Sequence, residues 1–369
     1  MDSLGNVESA GPVAQPMPAV LRSRQELLGP EADLPITDSG VRYSMAQSLA
    51  WLDADHFAVG CWDGTLRVFA FTTSVTDGPL INRSVNSPAA QGVRMVARLP
   101  GRSLVSSNDD RSVALWHAPG DGWSGLALAG TFAHDPSLGA ATSGYAVRAG
   151  ATGSLVVGHS SGFLSVWAHD PERRRLTFLR SVDLRNPAPV NPWGLHDINA
   201  VDKVTDSPRV ARVVTGSEDG YVCVVEIPSG EILSQRVFNP EAQRGINDLG
   251  VRDGALLVAN CSVGPSDSNL WYYTLDRKNW TFELRDRANL IIDSARPQAF
   301  NFNTVWGAYS GGPCWFASTE EGALWMGTAD TGIEVIGRRE VTNPLGSALG
   351  WTAPGRLAMV AYDPREFTT

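Results

Sequence analysis

The stretch VTGSEDGYVCVVEIPSG, from Val214 to Gly230, contains two apolar runs and two turns. The first run ends in small residues, the acidic pair Glu218-Asp219 leads into Gly220, and apolar side chains then alternate. Because glycine tolerates the positive φ of tight hairpin turns, the pattern predicts two antiparallel strands joined at Gly220. Whether the stretch recurs therefore decides the fold.

Four further stretches repeat this hairpin pattern: HFAVGCWDGTLRVFAF from His56, SLVSSNDDRSVALWHA from Ser103, SLVVGHSSGFLSVWAH from Ser154 and CWFASTEEGALWMGTA from Cys314. The five turns, at Gly64, Arg111, Gly162, Gly220 and Gly322, are 47, 51, 58 and 102 residues apart. The last gap spans two periods, and a degenerate copy starts within it at Ala255. A truncated seventh copy starts at Arg356.

Each hairpin has an apolar segment upstream, such as DINAV or GINDL, and a further segment downstream, such as EILSQRVF after Gly230. Four strands in each period of about 50 residues are typical of a β-propeller. The sequence thus predicts an all-β chain with seven four-stranded blades.

The pattern resembles the WD-repeat (WD40-like) family over roughly residues 20–369. Trp116 and Trp167 match the family's aromatic residue at a strand end, and Asp63, Asp110 and Asp219 match its acidic turn residue. No copy has Trp followed by Asp at that strand end, so the match is to a divergent member.

His196 lies 23 residues before Asp219. With Thr215 as the hydroxyl, the three resemble the family's His–Ser/Thr–Asp–Trp hydrogen-bond set, although Val225 stands at the Trp position. The resemblance implies that these residues are structural and support a blade from inside.

A propeller has to join its last blade to its first, or sheet edges stay exposed. The seventh copy lacks room for a fourth strand, and Ala19–Leu28 is predicted to fill that place. Residues 1–17 are then a flexible tail, and residues 18–369 form one propeller domain.

Composition narrows the class of protein. The formal charge is −9, so nucleic acid is not the expected direct partner. The four cysteines form no CxxC pair, which favours buried, reduced thiols. No signal peptide or apolar membrane span is evident, so we expect an intracellular protein of the cytoplasm or nucleus.

Aligning the innermost strands gives a column of channel-lining residues that includes Gln47, Arg94, Asn199, Asn247 and Asn303. A polar ring of this kind can bind a metal or substrate, but polar side chains are also expected in any water-filled channel. The column itself has no carboxylate, and we expect no metal and no cofactor.

Other segments are candidate protein contacts. The basic run Asp170–Arg180 is either a solvated loop or a docking site for an acidic partner. Asp276–Phe300 exceeds a normal link between strands, and it is either a packed structural addition or a long loop that contacts a partner. The candidate protein-binding residues are Trp62, Arg94, Trp193, Trp280, Phe282 and Trp306.

We therefore expect a non-catalytic scaffold or adaptor that binds other proteins as a subunit of a larger complex. The alternative is a propeller hydrolase with a metal or substrate site at the channel mouth. An RNA-binding propeller is less favoured, since it would need Arg173, Arg174, Arg175 and Arg180 to gather with other basic residues on one face.

Overall fold

The computed structural model describes residues 46–61, 64–71, 79–86, 92–108, 111–120, 122–149, 153–239, 244–260, 268–290, 301–309, 312–319, 323–340, 348–351 and 357–360. Regular structure in these residues is β, apart from one 3-10 turn at Pro136–Leu138. No helix in this part of the chain is long and apolar enough to cross a membrane.

Six antiparallel sheets of four strands each follow one another along the chain, and we call them blades 1 to 6. In each blade the strands pair in sequence order. Blade 1 consists of β1 Ala46–Trp51, β2 His56–Cys61, β3 Thr65–Phe71 and β4 Pro79–Asn86, and blade 2 consists of β5 Val96–Leu99, β6 Ser103–Asn108, β7 Ser112–His117 and β8 Ala127–Ala133. Blade 3 consists of β9 Ala141–Val147, β10 Ser154–His159, β11 Phe163–Asp170 and β12 Arg175–Asp183, and blade 4 consists of β13 Ile198–Thr205, β14 Ala211–Ser217, β15 Tyr221–Ile227 and β16 Ile232–Val237. Blade 5 consists of β17 Ile246–Arg252, β18 Ala255–Asn260, β19 Leu270–Asp276 and β20 Thr281–Ala288, and blade 6 consists of β21 Asn301–Tyr309, β22 Gly312–Thr319, β23 Ala323–Ala329 and β24 Ile333–Glu340.

The predicted hairpins are confirmed as the second and third strands of the blades. Val214–Gly230 lies across β14 and β15, with Val214 opposite Val224, and the degenerate copy from Ala255 forms β18 and β19. The turn residues Gly64, Gly162 and Gly220 have φ values of 76°, 81° and 85°. A β-carbon is unfavourable at such values, which explains why glycine recurs at this position.

The prediction of seven four-stranded blades was wrong, because the described residues form six such blades and one sheet of two strands. That sheet pairs β25 (Ala348–Trp351) with β26 (Leu357–Val360), and β25 contacts β21 on one side and β1 on the other. The expectation of seven blades rests on the number of hairpin motifs, and each motif specifies only two of the four strands of a blade. The predicted closing segment Ala19–Leu28 and the 1–17 tail lie outside the described residues.

The core lies between neighbouring blades rather than at one centre. Separate clusters of buried side chains fill the spaces between blades 1 and 2, 2 and 3, 3 and 4, 4 and 5, and 5 and 6. A glycine near the end of a second strand lets the next blade approach closely. A β-carbon there would lie 2.6 Å from an apolar side chain of the following blade, for Gly60 with Val93, Gly158 with Ile198 and Gly216 with Ile246.

Antiparallel pairing gives the propeller two faces. Turns between second and third strands, and loops between blades, lie on what we call the upper face. Turns between first and second strands, and between third and fourth strands, lie on the lower face. Cys61, Cys223 and Cys314 are buried and form no disulfide.

Candidate interaction site on the upper face

Asp219 is the centre of a buried hydrogen-bond network at the β14–β15 turn. It is 0% exposed, and its Oδ2 accepts from Nδ1 of His196 at 2.7 Å and from the backbone N–H of Asn186 at 2.8 Å. Oδ1 accepts from the hydroxyl of Ser217 and from the backbone N–H of Tyr221. A buried carboxylate is tolerated because so many donors satisfy it, and two of them belong to the preceding inter-blade loop.

That loop, residues 184–197, connects blade 3 to blade 4 and is fixed a second time by Asn191. The Asn191 Oδ1 accepts from the backbone N–H of Trp193 at 3.1 Å and of Leu195 at 3.0 Å. Its Nδ2 donates at 2.8 Å to the carbonyls of Leu195 and Glu218. Since Asn191 is buried, these bonds are protected from water, and they hold the tip of the loop in one conformation.

The tip exposes two large apolar side chains. Trp193 is 55% exposed and Leu195 is 46% exposed, although their backbone amides are both bonded to Asn191. The guanidinium of Arg244, from the next inter-blade loop, lies 4.4 Å from the centre of the Trp193 ring. We call Trp193, Leu195 and Arg244 the upper-face patch. Exposed apolar groups on a rigid support are typical of protein-binding surfaces.

Two carboxylates lie beside this patch. Burial, and then the nearby Asp197, raise the pKa of Glu218 to about 7, against the lowering effects of Asn199 and Arg244. Burial also raises the pKa of Asp197. Nδ2 of Asn199 donates to Oε2 of Glu218 at 3.1 Å. Glu218 is therefore partly protonated near neutral pH, which is a property that general acids share with many structural carboxyl groups.

The predicted channel residues lie on or next to the innermost strands. Gln47, Asn199, Asn247 and Asn303 are on β1, β13, β17 and β21, while Arg94 lies two residues before the start of β5. Nδ2 of Asn199 also donates to the carbonyl of Ile246 at 2.9 Å, so this side chain links blade 4 to blade 5. In the described part of the chain no three His, Cys, Asp or Glu side chains group as they would around a metal ion.

The long-loop interpretation of Asp276–Phe300 was wrong for residues 281–288, which form β20, the fourth strand of blade 5, while residues 291–300 lie outside the described residues. Trp280 lies in the lower-face turn before it, with the guanidinium of Arg212 4.4 Å from its ring centre. Phe282 packs at the edge of the cluster between blades 4 and 5. Trp306, on β21, donates from Nε1 to the carbonyl of Gly250 at 2.9 Å. None of these three is on the upper-face patch.

Of the residues that were predicted to support the blades, Trp116, Trp167, Thr215 and Asp219 are buried, and His196 is partly buried. Trp116 donates from Nε1 to Oγ of Ser106 at 2.9 Å, and Trp167 donates to Oγ of Ser165 at 2.8 Å. In blade 4, the hydroxyl that bonds Asp219 belongs to Ser217, and Thr215 instead interacts with the thiol of Cys223. Trp62, Asp63 and Asp110 lie outside the described residues.

Sequence reasoning singled out Trp193 but missed the residues that hold it in place. Asn186 and Asn191 are buried, and they bond Asp219 and Glu218, which are 33 and 27 residues further along the chain, so a sequence alone does not reveal these contacts. Ser217 is also buried and bonds Asp219, two residues away. The signal that was available is local: two asparagines lie in the proline-rich run NPAPVNPWG, between β12 and β13. Asparagine is frequent where a side chain replaces a backbone hydrogen-bond partner.

No protein-family model and no curated protein sequence matches the chain. Solved structures do share its fold. The WD40 β-propeller domain of Doa1 is 12% identical, with 88% of this chain and 91% of that chain covered and a TM-score of 0.61. The RRP9 WD40 repeats are 14% identical, with 86% of each chain covered and a TM-score of 0.62.

BBS1N, solved in complex with ARL6DN, is 12% identical and covers 86% of this chain and 88% of its own, with a TM-score of 0.60. At these identities the likeness concerns the fold alone. The chain has the WD40-like β-propeller fold that its repeats predicted.

Proposed function

We propose that the chain is a non-catalytic scaffold that binds another protein through the upper-face patch and serves as a subunit of a larger complex. The observation that carries the proposal is the pair Trp193 and Leu195, which are about half exposed while buried hydrogen bonds hold their backbone. Binding to a preformed surface avoids the entropic cost of ordering a loop, and tryptophan is the residue most enriched at binding hot spots.

The fold neighbours support this proposal in a general way. The BBS1N structure has a second protein, ARL6DN, bound to a chain with the same fold. For the present chain the partner, the complex and an intracellular location stay predictions. The hydrolase alternative has one supporting group, Glu218, whose pKa is raised to about 7 beside the channel residue Asn199.

The experiment is affinity purification of the tagged, full-length chain from its own cell extract, with partner stoichiometry measured by mass spectrometry. We expect a stoichiometric partner with the wild type and a loss of about tenfold or more with Trp193→Ala or Leu195→Ser, as is usual for a hot spot. Leu128→Ser is the matched control, because Leu128 is 47% exposed but lies on β8.

Two outcomes would contradict the proposal. A partner that all three variants retain equally would show that the upper-face patch is not the binding surface. A wild-type chain without any stoichiometric partner would contradict the scaffold function itself.

A further inference from the structure

The outer rim of the propeller has a groove between blades 4 and 5, which we call the rim groove. Its walls are the outermost strands β16 and β20, its volume is about 190 Å³, and its largely apolar floor is formed by Val222, Leu256 and Tyr273. An apolar cavity of about 150 Å³ can hold a benzene ring. The rim groove therefore has room for one leucine or phenylalanine side chain.

The sequence of β16 explains why the rim groove is unfilled. On the preceding blade, Val182 of β12 lies opposite Leu164 and is buried in the cluster between blades 3 and 4. At the equivalent position of β16, Arg236 lies opposite Val222 and is exposed. An arginine keeps its charged group in water, so it does not fill the space that a buried valine fills one blade earlier.

Contacts between the two blades hold the walls of the rim groove in place. The hydroxyl of Tyr273 donates to the carbonyl of Phe238 at 2.7 Å, which joins blade 5 to blade 4. At the lower end, the hydroxyl of Ser234 donates to the carbonyl of Trp280. The rings of Phe238 and Trp271 meet edge-on, with 5.7 Å between their centres. A ligand therefore enters a groove that is already formed, without the entropic cost of ordering it.

The edges of the rim groove combine an exposed apolar side chain with positive charge. Leu284 of β20 lines the groove and is 45% exposed. Arg236 lines it from the other wall, and no ion pair within the described residues involves this arginine. Arg287 is also exposed and lies farther up β20, with its guanidinium 5.5 Å from the centre of the Trp271 ring. None of the described residues that line the groove is acidic, so an entering carboxylate meets an arginine and no like charge on the walls.

The size and position of the rim groove indicate what kind of ligand it fits. Sites for small metabolites usually measure about 300–1,000 Å³, so this groove is too small for most of them. A polypeptide can insert one side chain and continue along the exposed outer strands, which supplies further contacts. The rim groove therefore fits an anchoring side chain of another protein.

We propose that the rim groove is a second docking site, which binds a short segment of a partner protein where one Phe or Leu is flanked by Asp or Glu. The apolar side chain enters the cavity between Leu284 and Tyr273, and a flanking carboxylate pairs with Arg236. The rim groove is separate from the upper-face patch, since it is formed by the outermost strands at the side of the propeller.

The test follows the fluorine NMR signal of 4-fluorophenylalanine at position 282 in the full-length protein, because Phe282 lines the rim groove. Three peptides of Gly and Ser, with Glu-Phe-Glu, Glu-Ala-Glu or Lys-Phe-Lys at the centre, are titrated at a salt concentration where charges more than about 8 Å apart are largely screened. We expect Glu-Phe-Glu to shift the signal in a saturable way, and the two other peptides to bind about tenfold more weakly or not at all. The same label at Phe178, which is 45% exposed on β12, should not respond.

Variants of the two walls separate the contribution of charge from that of apolar contact. We expect Arg236→Gln and Leu284→Ser each to weaken binding of the Glu-Phe-Glu peptide by about fivefold to tenfold. Both side chains are exposed, so the substitutions should leave the fold intact. Arg175→Gln is the matched control for charge, because Arg175 is exposed on β12, the outermost strand of blade 3, and it should stay within about twofold of the wild type.

Several results would overturn the proposal. They are the absence of a saturable shift at position 282, equal binding of the Glu-Ala-Glu or Lys-Phe-Lys peptide, and an equal loss for Arg175→Gln. A signal that moves on dilution of the protein alone would assign the rim groove to a second copy of the chain instead. A signal that moves when residues 1–17 are deleted would assign it to the N-terminus of the same chain.

Discussion

The upper-face loop 184–197 and two lower-face turns, at residues 99–103 and 170–175, present exposed side chains by different means. The loop has a long irregular path, and buried side chains fix it: Asp219 bonds its start and Asn191 bonds its tip. The lower-face turns are short and have left-handed residues at Arg102 and Arg174, and in the 170–175 turn the partly exposed carboxylate of Asp170 accepts from two backbone N–H groups. An irregular loop needs buried polar support to present an apolar tip, whereas a tight hairpin turn does not.

The difference predicts how each region tolerates substitution. Removing the buried carboxylate that bonds the loop leaves several donors without partners. The free energy of unfolding then falls by the desolvation penalty of those donors. Removing an exposed acceptor from a turn lets water replace it. The following experiments test this contrast.

The largest expected effect belongs to Asp219→Ala. The change leaves the donors of His196, Asn186 and Ser217 unsatisfied in a buried place, and we expect the free energy of unfolding to fall by about 3 kcal/mol in urea titrations. The lower-face counterpart is Asp170→Ala, which removes two bonds to backbone N–H groups in an exposed turn and should cost about 0.5–1 kcal/mol. Equal losses would show that the loop is not supported as described.

The next effect concerns pH and His159, a buried histidine on the upper face. Trp167 donates to Oγ of Ser165, which lies 2.7 Å from Nε2 of His159. The Ser165 hydroxyl can therefore donate to a neutral imidazole. Burial is the main reason why the pKa of His159 falls to about 3, and the nearby His134 lowers it further.

Because the folded-state pKa is depressed, this contribution to stability is present above about pH 6.5 and is lost as the pH falls towards 3. We expect about 2 kcal/mol to be lost between pH 6.5 and pH 5. The contribution of Glu218 to stability changes with pH in the opposite direction, so the wild type alone does not isolate His159. The measurement is therefore the slope of the free energy of unfolding against pH, compared between the wild type and His159→Gln. His117→Gln, on the lower face, should change the slope far less, since His117 is more exposed. Parallel slopes for wild type and His159→Gln would contradict the assignment.

The smallest of these effects belongs to Glu218→Gln. The folded-state pKa of Glu218 is raised to about 7, so its contribution to stability is present at acidic pH and is lost as the pH rises through 7. The glutamine variant should therefore be more stable than the wild type at pH 8, by about 1 kcal/mol, and should lose this advantage near pH 5. A variant that is less stable at both pH values would show that the ionised carboxylate is satisfied in the fold.

Much of the architecture could be predicted from the sequence, because each hairpin carries its own signal. A turn glycine and alternating apolar residues identified β14 and β15, and related motifs located the second and third strands of the other blades, with Arg111 in place of glycine in blade 2 and a longer loop in blade 5. The number of complete blades could not be predicted in this way. The last copy shows the inner strand β25 and one neighbour, and the motif does not report whether outer strands complete a sheet.

The candidate site was less accessible to sequence reasoning. Trp193 was recognised as an aromatic residue near a turn, but its exposure depends on Asn191 and on Asp219, which lies 26 residues further along the chain. Arg244 contacts Trp193 from another inter-blade loop. Contacts of this kind arise only when blades 4 and 5 are placed side by side, and a single sequence has no local pattern for them.

The most direct test of the proposed function is site-specific photo-crosslinking of the full-length protein in its own cell extract. A photoreactive phenylalanine analogue replaces Trp193 in one sample and Leu128, on β8 of blade 2, in another. Our account predicts that position 193 crosslinks to one protein that is also the stoichiometric partner in affinity purification, and that position 128 does not. Crosslinking of that partner from position 128, with none from position 193, would contradict it.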